Sequence, residues 1–310
     1  MFVEQLSLEI TPSPAQEWEQ EATRRALDGL FSLARQYNSS RDYMELMKFT
    51  AKFRFYAPFN ALLVHIQMPG ATFVAPPDRW LFRYGRTIKP NARPLVILQP
   101  MGPVMFVFDV SETEPLKDAP DLPPDVLHPF RTTGRDVSHE LGRIRDNAIR
   151  DGVEIYTQKA GAQYAGSICI VTTDRRLMFQ VKQRPKPEYV PVKVCYTIML
   201  NREHSPTTCY ASLVHELAHL YCGHLGTPDD HWWPDRRGLP HEIREFEAES
   251  VSYLVCSRLG IDTPSATYLA GYCDSNQETP PISLDCVMKA AGLIESMGRE
   301  RLPARKEKAF

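Results

Sequence analysis

The sequence predicts an α+β protein of two domains: a small amino-terminal α+β domain, then a domain of helices packed on a mixed or antiparallel sheet. Three observations carry this. Residues near both ends repeat apolar positions at helical spacing. Two stretches, 71–111 and 153–200, break into short β-rich runs punctuated by proline and turn residues. Between them lies an acidic segment with Pro115, Pro120, Pro123, Pro124 and Pro129 and few large apolar residues, which reads as a linker. The expected boundaries are 1–115 for the first domain, 116–130 for the linker, 131–297 for the second domain and 298–310 for a charged, frayed tail.

The elements follow in order. Trp18, Ala22, Ala26, Leu30, Leu33 and Ala34 predict a helix over 14–37. A second helix is expected over 40–55, opened by Ser39 or Ser40, and an apolar third in FNALLVHIQ, stopped at Pro69-Gly70. The runs ATFV, RPLVILQP and PVMFVFDVS are expected strands of an antiparallel sheet. Beyond the linker, Val137, Leu141, Ile144 and Ile149 give a helix over 135–150 its apolar face. The runs VEIYT, SICIVTT, LMFQVK and VKVCYTIML then read as strands. Ser205-Pro206 has the form of a helix N-cap and first residue, and another helix is expected over 241–259, ending at Gly260.

Composition narrows the function classes. With 43% hydrophobic and 24% charged residues and a formal charge of −2, the chain is an ordinary globular protein and no polycation. The start, MFVEQLSLEITPSP, lacks the basic and apolar regions of a secretory signal, and no stretch approaches a membrane span. Seven scattered cysteines without a CxxC pair fit reduced thiols better than a disulfide framework. A cytoplasmic protein without membrane contact is expected.

One stretch carries specific chemistry: VHELAHLYCGHL, residues 214–225. On a helix, positions four apart share a face, so His215 and His219 can present imidazoles to one ion. Zinc takes such nitrogen and oxygen ligands, and a catalytic site keeps one position for water. Glu216 then stands beside that water as general base. A third histidine six residues after His219 would complete one known pattern, but that position is Leu225, and His224 falls one residue early. On a continuous helix His224 would face away, which suits a supporting or helix-end group. The remaining source is HEIREFEAESVSYLVCSRLGI. Its apolar positions Val251, Leu254, Val255 and Leu259 favour Glu249 as the third ligand, with Glu245 and Glu247 as fallbacks; Glu247 points elsewhere by roughly 200°. Candidates for stabilising an oxyanion are His224, His241 and Tyr253.

HELAHLYCGHLG followed by EAESVSYLVCSRLGI and ATYLAGYC resembles the ImmA/IrrE-type metallopeptidases, and more closely the ArdC/LtrC-like plasmid and phage proteins. The resemblance implies a zincin-like second domain holding one zinc ion, with His215 and His219 as ligands and Glu216 as catalytic base. It carries the third ligand onto Glu249; the ImmA-like pattern can instead be laid on Glu247. FNALLVHIQMPGATFV, RWLFRYGRTIKPNARPLVILQP and FDVSET are similar to the ArdC amino-terminal region, which implies single-stranded DNA binding. Charge is compatible: between 41 and 100 nine lysines and arginines stand against three acids, and aromatic residues interleave with them. The candidate contacts are Lys52, Arg54, Arg79, Trp80, Arg83, Arg86 and Lys89. The expected activity is zinc-dependent hydrolysis of a protein or peptide substrate. The alternative is a single-stranded-DNA-binding antirestriction-type protein whose metal site is structural or inactive.

Overall fold

The computed structural model describes residues 40–53, 56–99, 102–122, 136–159, 165–263, 265, 268–269 and 279–305. The expected helix over 14–37, most of the linker and most of ATYLAGYC lie outside these residues. The chain divides into two compact units. One contains Ile66–Asp121, and the other contains Asn38–His65 together with Leu122 onward. Residues 40–65, expected in the first domain, thus group with the second.

In the larger unit, α1 (Ser40–Lys52) is followed by α2 (Pro58–Gln67), within which the chain passes to the smaller unit. The smaller unit then holds β1 (Val74–Ala75), α3 (Pro77–Tyr84), β2 (Arg86–Ile88), β3 (Leu95–Gln99), β4 (Gly102–Asp109) and β5 (Thr113–Pro115). β4 is the middle strand of an antiparallel β1-β4-β3 sheet, and β2 pairs with β5. α3 was not expected from the β-rich texture. Its signals are Pro77 in the first turn and Gly85 in the left-handed conformation at its end. The core is aromatic: Phe73 meets Trp80 and Tyr84 edge to face at 5.5 and 5.6 Å. Trp80 is fully buried and donates its indole N–H to the Phe108 carbonyl at 2.9 Å. Buried Asp109 accepts from the backbone N–H groups of Thr72, Phe73 and Ser111, tying β4 to the start of β1.

The larger unit continues with α4 (Ser138–Ala148), β6 (Val153–Gln158), β7 (Gly166–Ile170), β8 (Arg176–Lys182), β9 (Glu188–Lys193), β10 (Tyr196–Asn201), α5 (Pro206–Tyr221), α6 (His241–Leu259) and α7 (Leu284–Arg299). The sheet order is β6-β10-β7, with β6 parallel and β7 antiparallel to β10. β8 and β9 form a separate antiparallel hairpin. The single expected strand VKVCYTIML is therefore split, because its first residues end β9 and only Tyr196 onward joins the three-stranded sheet. Leu213, Val214, Leu217, Phe246, Val251, Leu254, Val287, Ala291 and Ile294 bury the faces along which α5, α6 and α7 pack.

Two buried polar knots hold this unit. Arg258 on α6, almost fully enclosed, pairs with Glu295 on α7 and donates to the carbonyls of Thr50 and Phe53 at 2.7 Å and of Tyr56, so it closes the end of α1. Asp151 accepts from the Tyr221 hydroxyl at 2.8 Å and from Arg305 Nε at 2.6 Å. The tail, expected to fray, is anchored as far as Arg305. Asn147 bonds the Glu300 carbonyl and the Leu302 N–H, and the Arg305 guanidinium lies 5.2 Å from the centre of the nearer Trp232 ring. No helix among the described residues is long and apolar enough to cross a membrane.

Candidate metal centre

α5 starts where its sequence says it should: Ser205 accepts from the Thr208 N–H and Pro206 fills the first turn. One turn apart on this helix, the His215 and His219 rings bring their Nε2 atoms to 3.2 Å. α6 supplies the carboxylate. Glu245 sets one oxygen 3.5 Å from His215 Nε2 and the other 3.5 Å from His219 Nε2. Donor atoms of a tetrahedral zinc, with bonds of about 2.0–2.2 Å, stand roughly 3.3–3.5 Å apart. The three residues therefore fit a small divalent cation.

Glu249, one turn further along α6, meets the other face of the pair. Its oxygen lies 3.5 Å from His215 Nδ1, not Nε2. A carboxylate there orients the ring and raises its basicity. Glu247 points away from the centre, as its helical angle requires. It is fully buried and accepts from Arg236 Nη1 and Nη2 at 2.7 and 2.8 Å, from His224 Nε2 at 2.9 Å and from the Ser283 N–H at 2.6 Å.

Cys222, His224 and Glu247 are a second group with metal-ligating atoms close together. Its chemistry suits a cation less. Four donors already use the Glu247 lone pairs, Arg236 supplies the positive charge, and burial pushes the Cys222 thiol well above its ordinary pKa. Among the described residues, the groups facing Glu245 are the imidazoles of His215, His219 and His241.

His224 reaches the centre from behind because α5 stops. Gly223 adopts φ +82°, the His224 N–H bonds the His219 carbonyl, and the Gly223 N–H bonds the Leu220 carbonyl. This turn reverses the chain and brings His224 Nδ1 to 2.9 Å from His219 Nδ1. A continuous helix would have carried His224 to the far side.

Glu216 lies at the outer edge of β7. Its carboxylate accepts from the Ile168 N–H, and a Cβ built on Gly166 would sit 3.7 Å from Glu216 Cγ. The bonds flanking the β7–β10 ladder are made by Ala165 and Val171. By antiparallel alternation, Gly166, Ile168 and Ile170 therefore turn their backbone groups away from β10. That outer edge has no strand partner among the described residues. β10, the strand that precedes α5, is central in the sheet, and β7 is the edge strand beside the helix.

Electrostatics separate the groups. Burial raises the Glu216 pKa, and the Glu245 charge adds to this against the opposing pull of His215 and the Ile168 N–H. Contact with His215 holds Glu245 low, at about 2, against the effect of burial. Burial, then the neighbouring His215, depresses His219 and keeps that ring neutral. Burial also opposes charge on His215, but the facing carboxylates Glu245, Glu249 and Glu216 outweigh it and raise its pKa. Of the expected oxyanion candidates, His224 is behind the ligand rings. Tyr253 shares a hydrogen bond with Ser257 on its own helix. His241 is exposed, with Nδ1 3.4 Å from Glu245.

The expected nucleic-acid contacts do not form one set. Trp80 cannot stack on a base, since the aromatic core encloses it. Arg86 donates to Thr113 Oγ1 at 2.7 Å, and Lys89 to the Ser111 carbonyl at 2.7 Å. Lys52 ends α1 in the other unit, and Arg54 lies outside the described residues. Arg79 and Arg83 are exposed on α3. Arg79 lies one turn before both Arg83 and Phe82, and Phe82 is 84% exposed.

Glu245 and the Glu247–His224 contact are the parts of the candidate site that sequence reasoning ranked lower or missed. The only sequence signals were the spacing of Glu245 one turn before Glu249 and the glycine before His224. No family model and no curated protein matches this chain. Among solved structures, the chain is similar to the crystal structure of the antirestriction protein ArdC from plasmid R388 in its metal-free form. The identity is 14% and the TM-score 0.32, over 78% of this chain and 82% of that one.

Proposed function

We propose that the chain is a zinc-dependent peptidase that cleaves an extended polypeptide laid along β7. The observation that carries this reading is the convergence of His215, His219 and Glu245, with Glu216 beside them at a strand edge that has no strand partner among the described residues. Zinc held there would supply Lewis-acid polarisation of a carbonyl and would acidify water. Gly166 and Ile170 would hydrogen-bond the substrate backbone as an added antiparallel strand. Glu216, its pKa raised by burial, would take a proton from the attacking water and pass it to the leaving amine. Glu249 would orient His215.

The test compares wild type and Glu216→Gln, both loaded with zinc, on a peptide library derived from a digested proteome. Cleavage that a chelator stops, and that Glu216→Gln lacks while still binding zinc, is the expected result. Equal cleavage by both proteins would rule the reading out.

A second reading rests on a different observation, the exposed Phe82 between Arg79 and Arg83 on α3. An exposed ring with exposed cations next to it in sequence and one turn away suits sequence-tolerant binding of single-stranded nucleic acid. Here Phe82→Ala and Arg83→Glu should each weaken salt-sensitive binding of a labelled single-stranded oligonucleotide. Should both variants bind as wild type does, this face has no such role.

A further inference from the structure

We propose that His224 is a positioning residue that fixes the tautomer of His219 so that its Nε2 lone pair points at the metal position. This rests on the reading of His215, His219 and Glu245 as the metal-holding set.

The argument is a chain of hydrogen bonds read from its buried end. Geometry holds Glu247 as an acceptor: the permanently charged Arg236 fork donates to both of its oxygens at 2.7 and 2.8 Å, and the Ser283 N–H adds a third donor at 2.6 Å. A carboxylate cannot donate, so the His224 Nε2 facing it at 2.9 Å must carry the proton. Arg236 already neutralises Glu247 through two bonds. With one proton on each ring, His224 offers a lone pair at Nδ1. His219 Nδ1, 2.9 Å away, must therefore donate, and this leaves its Nε2 unprotonated toward His215 and Glu245. Metal ligands of this kind commonly owe their tautomer to such a partner, whose loss weakens binding by about 10–100-fold.

The local sequence is built for the contact. Gly223 makes the turn that returns His224 to His219. A Cβ at Gly223 would stand 2.0 Å from the Pro234 carbonyl oxygen, so only glycine lets the segment bearing Arg236 come this close. The Arg236 N–H bonds the Gly223 carbonyl at 2.9 Å, and Arg236 Nη1 bonds the Cys222 carbonyl at 3.1 Å. Thus the residues that end α5 also hold the far end of the chain of bonds.

The test uses the full chain and cobalt(II) alone, with affinity read from the visible absorption of the bound ion. Asparagine at 224 can reach His219 as His224 Nδ1 does but falls short of Glu247; glutamine can reach Glu247 but not His219. The proposal expects His224→Ala and His224→Gln to lose about 10–100-fold in affinity, with His224→Asn within a few-fold of wild type. A purely structural His224, serving Glu247, gives the reverse order, and that order overturns the proposal. So does wild-type affinity in all three variants. Wild type that takes up no cobalt instead overturns the reading of the site itself. Should the variants not fold, nitrogen NMR of histidine-labelled, metal-free wild type decides. A proton on His219 Nδ1 supports the proposal, and one on Nε2 overturns it.

Discussion

Replacing Gly223 with alanine tests the turn that joins the helix end to the metal centre. Two costs can be worked from the structure. The residue sits at φ +82°, where a side chain costs about 1–2 kcal/mol. Its new Cβ would also stand 2.0 Å from the Pro234 oxygen. That neighbour is backbone, so no rotamer change relieves the contact, and residues 234–236 must retreat by roughly 1 Å to restore ordinary packing. Retreat breaks the bonds from Arg236 to the Gly223 and Cys222 carbonyls, at about 1 kcal/mol each. The sum is about 3–4 kcal/mol, which at about 2–4 °C per kcal/mol is a fall of about 6–16 °C in Tm. If Arg236 also leaves buried Glu247, the loss grows by about 3–5 kcal/mol. The assay is thermal denaturation of metal-free protein followed by circular dichroism, with Gly238→Ala as control. A Cβ at Gly238 meets nothing within 4 Å, and its φ is not positive. A melt of Gly223→Ala within 2 °C of wild type, or an equal fall in the control, would refute the reasoning.

Glu245→Ala should lower zinc affinity by about 10²–10³-fold, since a structural zinc binding energy of about 10–16 kcal/mol shared over four ligands is about 2.5–4 kcal/mol each. Glu249→Ala should lower it by about 10–100-fold; chelator competition reads both, and the reverse order would make Glu249 the ligand. Glu216→Gln should stabilise the metal-free protein at pH 8, because a carboxyl whose folded pKa is raised opposes folding once ionised. The advantage should shrink as pH falls through the folded pKa and vanish below the unfolded value of about 4.3, where both states are protonated; urea midpoints across pH follow it, and a destabilised variant at pH 8 counts against the shift. Arg258→Ala should lower stability by about 3–5 kcal/mol, because Glu295 and the carbonyls of Thr50, Phe53 and Tyr56 lose a buried partner. A loss under 1 kcal/mol in urea denaturation would show that water replaces the guanidinium.

The sequence alone determined what is local. The spacing of His215 and His219 follows from helical pitch, the start of α5 from Ser205-Pro206, the end of α6 from Gly260, and β4 from its apolar run closed by Asp109. All of these need only neighbours a few residues away. Tertiary structure decided the rest. Whether Glu245 or Glu249 meets the shared focus of the two rings depends on the stagger of α6 against α5, which no periodicity encodes, because both lie on one helix face. Trp80 reads as an exposed aromatic among cations until Phe73 and the Phe108 carbonyl close over it. The hydrogen bond between His224 and Glu247 joins residues separated by a loop and a turn of opposite hand. Such contacts arise only when distant apolar faces bury one another, so they become visible only in the packed fold.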